Sequence, residues 1–259
     1  MKNLRVEISD GIATVTIDRP PVNAVNNETM IEMAEVFNSF ADNRDVRVAI
    51  FTGAGDKAFI AGVDLNTFGA AEPDEKPLSE VTDSGAISRN AMWAITDCAV
   101  PVIAAVNGYA IGAGLAFSAC CDIIVASDNA KFGTTEINVG LLGASAHLST
   151  LVGRHKAREM FFTGELVSAE DLHRIGSVRA VVPRADLDGT ARELASTLAS
   201  KSPLALRLAK ASMNHVEGLP LKEAYRIEQS YTHRLLGFED SAEARAAFFE
   251  KREPKWKLK

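Results

Sequence analysis

Two short runs of almost uninterrupted apolar residues limit the folds open to this chain most strongly. They are VPVIAAV at residues 100–106 and IIVA at residues 123–126, and each is followed by residues typical of a turn. A strand with one face in water alternates apolar and polar side chains, whereas a strand covered on both faces does not. These runs therefore predict a fold of the α/β class, with helices covering both faces of the sheet.

The remaining pattern predicts a mixed α/β core followed by helices. Residues 4–9 and 12–18 alternate around Asp10-Gly11, which indicates a hairpin. VRVAIFTG at residues 46–53 predicts a further strand, and from about Ala144 onward the apolar spacing is helical. Asn27 fits the N-cap of a helix whose expected apolar face is Met30, Met33, Ala34, Phe37 and Phe40. No internal repeat is visible in the sequence.

One long segment does not fit this pattern of strands and helices. Residues 69–86 are polar, acidic and contain proline, which predicts a mobile loop. Long loops in compact domains are often functional. We expect this loop and residues 141–147 to line a substrate pocket.

Composition excludes several classes of function. The chain has 259 residues and a net charge of -6, which argues against a nucleic-acid binder that depends on positive charge. No run approaches the roughly 18 apolar residues of a membrane span, and the N-terminus lacks a signal-peptide core. The cysteines, Cys98, Cys120 and Cys121, lack the spacing of a metal site. We expect a cytoplasmic protein with neither a metal nor a membrane partner.

Two stretches combine the end of a strand with the start of a helix and carry small residues at the turn. AFIAGVDL, residues 58–65, contains Ala61-Gly62, and GYAIGAG, residues 108–114, contains Gly112 and Gly114. Helix N-termini present unpaired N–H groups with a partial positive charge. Two such donors directed at one oxygen form an oxyanion hole. Each motif alone is more often only a tight turn, and the second lacks the last glycine of a dinucleotide-binding motif.

Glu136 is the most suitable general base in the sequence. It lies in AKFGTTEINVGLLG, where an apolar environment would raise its pKa towards the working range of a base. An isolated glutamate is more often a helix cap or a solvated residue. Asp64 is expected to cap a short helix, and His147 is a structural histidine or a pocket residue. No serine-nucleophile motif is present.

Taken in order, these segments resemble the crotonase superfamily, also called the enoyl-CoA hydratase/isomerase family. The resemblance extends over nearly the whole chain. It rests on IDRPPVNAVN, AFIAGVDL, VIAAVNGYAIGAGLAFSACCDIIVAS, AKFGTTEINVGLL, SPLALRLAK and AAFFEKREPKW. This ordered set is far more specific than any single motif.

The resemblance implies a spiral of ββα units with an acyl-CoA site in residues 1–200, and a helical C-terminal trimerisation region in residues 201–259. A homotrimer or a hexamer, as a dimer of trimers, is therefore expected. The implied substrate is an acyl-CoA thioester, so that coenzyme A is part of the substrate and no separate cofactor is expected. The implied catalytic groups are the Glu136 carboxylate and the backbone N–H groups of Val63 and Ala113, which would stabilise an enolate oxygen.

The resemblance also assigns residues to substrate binding. They are Ala24, Ala61, Gly62, Asp64, Leu65, Gly112, Ala116, Leu141, Phe248 and Lys251. Phe248 and Lys251 match positions that contact the CoA nucleotide, often from a neighbouring subunit, although a solvated C-terminal tail would look the same. Asn66 replaces a lysine that is frequent in the family, which puts one phosphate contact in doubt.

Ala116 is the most informative departure from the family pattern. Hydratases of the family usually carry a glutamate there, and no carboxylate occurs in GAGLAFSAC. A single base and an oxyanion hole suffice to move a double bond, but a water molecule loses one of its two orienting acceptors. Hydration and double-bond isomerisation of an enoyl-CoA both remain open, as do decarboxylation and C–C cleavage of an acyl-CoA.

A second class of function is a non-catalytic member of the same fold that binds an acyl-CoA or RNA. Glu136 favours the enzyme, because a protein that only binds gains nothing from a desolvated carboxylate. The acidic net charge of -6 disfavours RNA.

Overall fold

The strands form two sheets. The computed structural model describes residues 1–66 and 78–259. In chain order the strands of these residues are β1 (Leu4–Ser9), β2 (Ile12–Ile17), β3 (Val48–Gly53), β4 (Ala58–Ile60), β5 (Val102–Val106), β6 (Tyr109–Ile111), β7 (Ile123–Ser127), β8 (Lys131–Gly133), β9 (Val167–Ser168) and β10 (Ala180–Val182). The larger sheet has the order β1-β2-β3-β5-β7-β10, and the smaller has the order β4-β6-β8-β9.

Helices cover both sheets and form the C-terminal part of the chain. In the described residues they are α1 (Asn27–Ser39), α2 (Leu78–Thr82), α3 (Ala86–Thr96), α4 (Ala113–Ala119), α5 (Ser145–Val152), α6 (Arg154–Thr163), α7 (Ala169–Arg174), α8 (Leu187–Ala199), α9 (Pro203–Val216), α10 (Leu221–Leu236) and α11 (Glu239–Glu250). Short 3-10 turns span Glu136–Val139 and Arg184–Asp186. None of these helices has both the length and the apolar character that crossing a membrane requires.

The hairpin and the first helix predicted near the N-terminus are confirmed, except that the helix cap lies one residue earlier than expected. β1 and β2 pair antiparallel from Leu4↔Ile17 to Ser9↔Ile12. Asp10 and Gly11 have φ angles of 54° and 79°, the values that a two-residue hairpin turn requires. The N-cap of α1 is Asn26 and not Asn27, because the Asn26 side chain accepts a hydrogen bond from the Thr29 N–H.

The central strands are covered on both faces, as the apolar runs predict. β3, β5 and β7 pair in parallel. One face packs on the main core, which contains the buried side of α1. Leu187, Ala191 and Ala195 of α8 cover the opposite face of the sheet. The absence of alternation in these strands therefore reflects burial between two layers of helices.

Successive ββα units build the spiral, although the sequence shows no repeat. In the pairs β3–β4, β5–β6 and β7–β8, the first strand joins the larger sheet and the second joins the smaller one. A helix follows each pair. As a consequence β4, β6 and β8 become neighbours in one parallel sheet, although roughly 50 and 20 residues separate them along the chain.

Buried asparagines fix the corner at which the chain passes from one sheet to the other. The Asn107 Oδ1 accepts a hydrogen bond from the Gly53 N–H at 3.2 Å. The Asn23 Nδ2 donates to the Ala58 carbonyl at 2.8 Å. Both side chains are almost fully buried, at 0% and 2% exposure, and leaving such groups unpaired would cost about 1–3 kcal/mol each. These bonds join the end of β3 to the turn between β5 and β6, and the segment before α1 to the start of β4.

Two expectations about the chain after β4 need correction. α2 lies inside the segment expected to be a loop at residues 69–86, of which residues 69–77 lie outside the described residues. The chain after Ala144 is not wholly helical, since it also contains β9 and β10. The sequence did not predict these strands because they contain only two and three residues, which is too short to produce a periodic pattern. α9 to α11 confirm a helical C-terminus, while the division at residue 200 stays a prediction.

Candidate active site

Three turns meet at the carboxyl ends of β4, β6 and β8. These strands are parallel neighbours, with Ile60 paired to Ala110 and Ile111 paired to Gly133. Ligands of parallel sheets bind beyond the carboxyl ends of the strands. The turns carry Val63, Ala113 and Glu136. The structure thus brings the three predicted catalytic positions to the carboxyl ends of neighbouring strands of the smaller sheet.

Gly112 joins β6 to α4 in a conformation that favours glycine. Its φ and ψ angles are 56° and -111°, and its carbonyl accepts the first helical hydrogen bond from the Ala116 N–H at 3.0 Å. The N–H groups of Ala113 and the two residues after it therefore have no hydrogen-bond acceptor within the helix. A Cβ on Gly114 would lie 1.9 Å from the Ile60 carbonyl oxygen. Glycine there lets the start of α4 contact the end of β4.

A parallel bridge sets the direction of the Val63 amide. The Val25 N–H donates to the Gly62 carbonyl at 2.9 Å, and the Asp64 N–H donates to the Val25 carbonyl at 2.8 Å. In a parallel bridge of this kind, the residues on either side of Val63 make the hydrogen bonds to Val25. The N–H of Val63 itself is therefore directed away from Val25. Gly62 also approaches β6, since a Cβ on it would lie 3.6 Å from the Ile111 carbonyl oxygen. The amides of Val63 and Ala113 thus belong to two turns in close contact.

Arg19 links the Val63 turn to the segment before α1. Its guanidinium donates to the Ala24 carbonyl at 2.7 Å and to Asp64 Oδ2 at 2.6 Å. The hydrogen bond from Arg19 lowers the pKa of the Asp64 carboxyl, which also accepts from the Asn66 N–H at 3.0 Å. Asp64 therefore caps a turn within the described residues. The helix expected after it would lie in residues that are not described.

We expect Arg19→Ala to lower kcat/KM about tenfold, because the Val63 turn loses its tether to Ala24 and small displacements of catalytic donors are costly. Steady-state kinetics on any accepted acyl-CoA measures this. Arg5→Ala is the matched control, since its ion pair with Asp18 is longer, 3.5 Å, and 60% of the Arg5 side chain is exposed. Equal effects of the two substitutions would contradict a role of Arg19 in the site.

Glu136 opens the 3-10 turn after β8, and its carboxylate lies against two glycines. A Cβ on Gly112 would lie 2.2 Å from Glu136 Oε1, and a Cβ on Gly143 would lie 3.1 Å from the same atom. Burial raises the pKa of Glu136, and the nearby backbone N–H groups of Thr135 and Glu136 oppose this shift without cancelling it. Oε2 is buried and has no hydrogen-bond partner. A desolvated carboxylate of this kind is suited to accept a proton near neutral pH.

Three further residues that the sequence assigns to the site lie in α4, in the turn that follows Glu136 and in α5. Ala116 is fully buried in α4, so α4 offers no second carboxylate to the site. The Leu141 N–H donates to the Glu136 carbonyl at 2.9 Å and closes the turn. His147 is half-buried in α5, which lowers the pKa of its imidazole. The contribution of Leu141 and His147 to an acyl pocket stays a prediction.

The outer residues assigned to substrate binding occupy open positions. Leu65 is 60% exposed and Phe248 is 78% exposed. Phe248 lies in α11, and Lys251 follows this helix as its C-cap. α11 packs against α10 at the C-terminal end of the chain. Contact of Phe248 and Lys251 with CoA remains a prediction.

Sequence reasoning missed three features of the site. Gly143 contacts the Glu136 carboxylate, Thr134 carries a buried hydroxyl two residues before Glu136, and Arg19 pairs with Asp64. The glycine in GLLG was the available signal for Gly143, since glycine often marks a close approach. Nothing in the local sequence indicates that Arg19 and Asp64 meet, because 45 residues separate them.

Comparison with known proteins identifies the group to which this site belongs. A family model described as "Enoyl-CoA hydratase/isomerase" matches residues 7–259. The chain belongs to the enoyl-CoA hydratase/isomerase family. The resemblance to the crotonase superfamily and the α/β spiral fold are thereby confirmed, and the protein belongs to a family of acyl-CoA-processing enzymes.

Curated relatives in this family differ in their reactions. The chain is 39% identical over 246 residues to the (7aS)-7a-methyl-1,5-dioxo-2,3,5,6,7,7a-hexahydro-1H-indene-carboxyl-CoA hydrolase of Rhodococcus jostii, covering 95% of this chain and 93% of the relative. It is 38% identical over 263 residues to carnitinyl-CoA dehydratase of Escherichia coli (strain K12), covering 99% and 98%. A crystal structure of enoyl-CoA hydratase from Bacillus anthracis superimposes with a TM-score of 0.90 at 29% identity, covering 99% of this chain and 100% of that chain.

Proposed function

We propose that the protein converts an enoyl-CoA by hydration or double-bond isomerisation through a thioester enolate. The N–H groups of Val63 and Ala113 hold the enolate oxygen, and Glu136 is the single acid/base. The observation that supports this proposal is the place of the Glu136 carboxylate, which lies against Gly112 directly before the Ala113 amide.

The chemistry needs few groups. In isomerisation, Glu136 removes a proton from one carbon, the electron pair enters the enolate, and the same carboxyl returns the proton to another carbon. In hydration, Glu136 takes a proton from water as the oxygen bonds to the β-carbon, and then protonates the α-carbon. Each backbone donor contributes on the order of 3 kcal/mol to the transition state. The elevated pKa of Glu136 suits both proton transfers.

A second candidate is decarboxylation or C–C cleavage of an acyl-CoA. The similarity to the Rhodococcus jostii relative favours the cleavage reaction, since that relative is named as a carboxyl-CoA hydrolase. The Escherichia coli relative is named as a dehydratase, which favours hydration chemistry. Both candidates use the same enolate stabilisation. Loss of CO2 leaves the electron pair directly in the enolate, so decarboxylation needs Glu136 only as the donor of the proton that the α-carbon takes up.

We extend the proposal to a homotrimer or a hexamer assembled through the C-terminal helices. Met213, Leu221 and Phe249 of α9, α10 and α11 are 70%, 84% and 79% exposed in the single chain. α9 packs on α10 and α10 packs on α11, and exposed apolar residues on neighbouring helices often mark an interface between subunits.

Incubation in heavy water with saturated, 2-enoyl and 3-enoyl-CoA thioesters tests the function. We expect deuterium uptake at the α-carbon, together with a shift of the double bond or a gain of the mass of water. Mass spectrometry follows these changes, and release of CO2 or chain cleavage would establish the second candidate. Tight binding of the thioesters without any exchange or turnover would support a binding protein instead.

A further inference from the structure

Two buried polar atoms beside the site have no hydrogen-bond partner. They are Thr134 Oγ1 and Glu136 Oε2, and Thr134 is 1% exposed. A third such atom in the described residues, Arg184 Nε, lies 3.2 Å from an Asp56 oxygen and so has an ionic partner. Buried polar atoms are nearly always hydrogen-bonded, and two unpaired atoms on residues that are two apart in the chain indicate a site for a small polar ligand.

Both unpaired residues are neighbours of Gly112. Thr134 directly follows Gly133, which pairs with Ile111 in the register of β8 and β6. Thr134 therefore lies beside Gly112, about one strand spacing or 4.8 Å away. Glu136 Oε2 lies 3.5 Å from the position that a Cβ of Gly112 would occupy. The Thr134 hydroxyl and Glu136 Oε2 do not bond to each other. The oxygen of a water molecule can bridge two polar groups of this kind.

Because residue 116 is an alanine, the reacting water needs a second hydrogen-bond acceptor from elsewhere in the site. A water molecule that attacks a carbon reacts faster when two acceptors hold its hydrogens and leave a lone pair facing that carbon. Glu136 is one acceptor, and the buried methyl group of Ala116 cannot be the other.

We propose that Thr134 Oγ1 and Glu136 Oε2 together bind the oxygen that is added to, or removed from, the β-carbon of the acyl-CoA. The inference rests on the proposed function and favours hydration and dehydration over isomerisation. During addition, Glu136 takes one proton of the water while the oxygen of that water bonds to the β-carbon. The second hydrogen stays on the water oxygen and forms a hydrogen bond to Thr134 Oγ1. Glu136 then returns its proton to the α-carbon, so one water is consumed and the carboxylate is restored.

The test compares Thr134→Val with Thr134→Ser in two reactions. We expect Thr134→Val to slow hydration of 2-butenoyl-CoA about 10- to 100-fold, because the water loses one acceptor. Exchange of the α-protons of butyryl-CoA in heavy water is expected to stay within about threefold, since that step needs no water at the β-carbon. Thr134→Ser keeps the hydroxyl and should retain most of the hydration rate. Dehydration of 3-hydroxybutyryl-CoA should fall by the same factor as hydration.

Stability measurements separate this role from a structural one. Thr134 Oγ1 bonds to no other group of the protein, so the Tm of Thr134→Val should stay close to that of the wild type. A large fall in Tm, or equal losses of exchange and hydration, would overturn the inference. So would a wild type that exchanges α-protons but hydrates none of the 2-enoyl-CoA thioesters. A wild type that does neither would refute the proposed function itself.

Discussion

Glu136→Gln is expected to lower kcat/KM for every substrate of the enzyme about a thousandfold, within the usual range for loss of a general acid/base. The amide keeps the shape of the carboxylate and its place against Gly112 but cannot accept the proton. Deuterium exchange and turnover should fall together, because both depend on the same proton transfer. Glu35→Gln is a suitable control, since Glu35 is exposed in α1. Equal activity of Glu136→Gln and wild type would contradict the assignment of the base.

The pH dependence of the rate gives a second test of the same residue. Burial raises the pKa of Glu136 above its ordinary value of 4.5. Only the ionised form accepts a proton, so the kcat/KM of the wild type should fall as the pH drops through this raised pKa. The residual activity of Glu136→Gln should lack this acidic limb. An acidic limb of the same position in both proteins would assign it to another group.

The same substitution should stabilise the fold at neutral pH. Because the folded-state pKa of Glu136 is raised, the folded protein binds this proton more tightly than the unfolded chain does. The associated stability is present below the unfolded pKa and is lost as the pH rises through the folded pKa. Above that range, Gln removes the cost of a desolvated charge. The Tm of Glu136→Gln should therefore exceed that of the wild type at pH 7 and approach it at about pH 4.

The sequence predicts the local parts of the fold well because their causes are local. The Asp10-Gly11 turn and the strands without alternation each depend on a few adjacent residues. The helix start at Asn26 was placed one residue late, since both Asn26 and Asn27 suit an N-cap and only the hydrogen bond to the Thr29 N–H distinguishes them.

The arrangement of the site depends on contacts between distant parts of the chain. Glycines at positions 62, 112 and 114 predict two turns, but the sheet pairing brings these turns together. The family resemblance supplies that arrangement, which periodicity cannot. The unpaired Thr134 hydroxyl is likewise visible only in three dimensions, since a threonine directly after a strand is ordinary in sequence.

Gly112→Ala is expected to lower kcat about a hundredfold while the protein still folds. The new Cβ would lie 2.2 Å from Glu136 Oε1 and 3.0 Å from its Cδ, so the carboxylate must move. The end of a flexible side chain moves at small cost to stability, but a base displaced by about 1 Å loses about 10²-fold in rate. The positive φ of 56° adds backbone strain of about 1–3 kcal/mol, which lowers Tm.

Gly218→Ala separates strain from displacement of the base. Gly218 also has a positive φ, 76°, but a Cβ there meets nothing within 4 Å, so this variant should lose some stability and keep its activity. In a Glu136→Gln background, Gly112→Ala should have almost no further effect on the rate, because both changes act on the same carboxylate. Multiplicative losses in the double variant would show instead that Gly112 acts independently of Glu136, through the Ala113 amide that follows it. A Gly112→Ala variant with full activity would exclude the close contact between this glycine and the base.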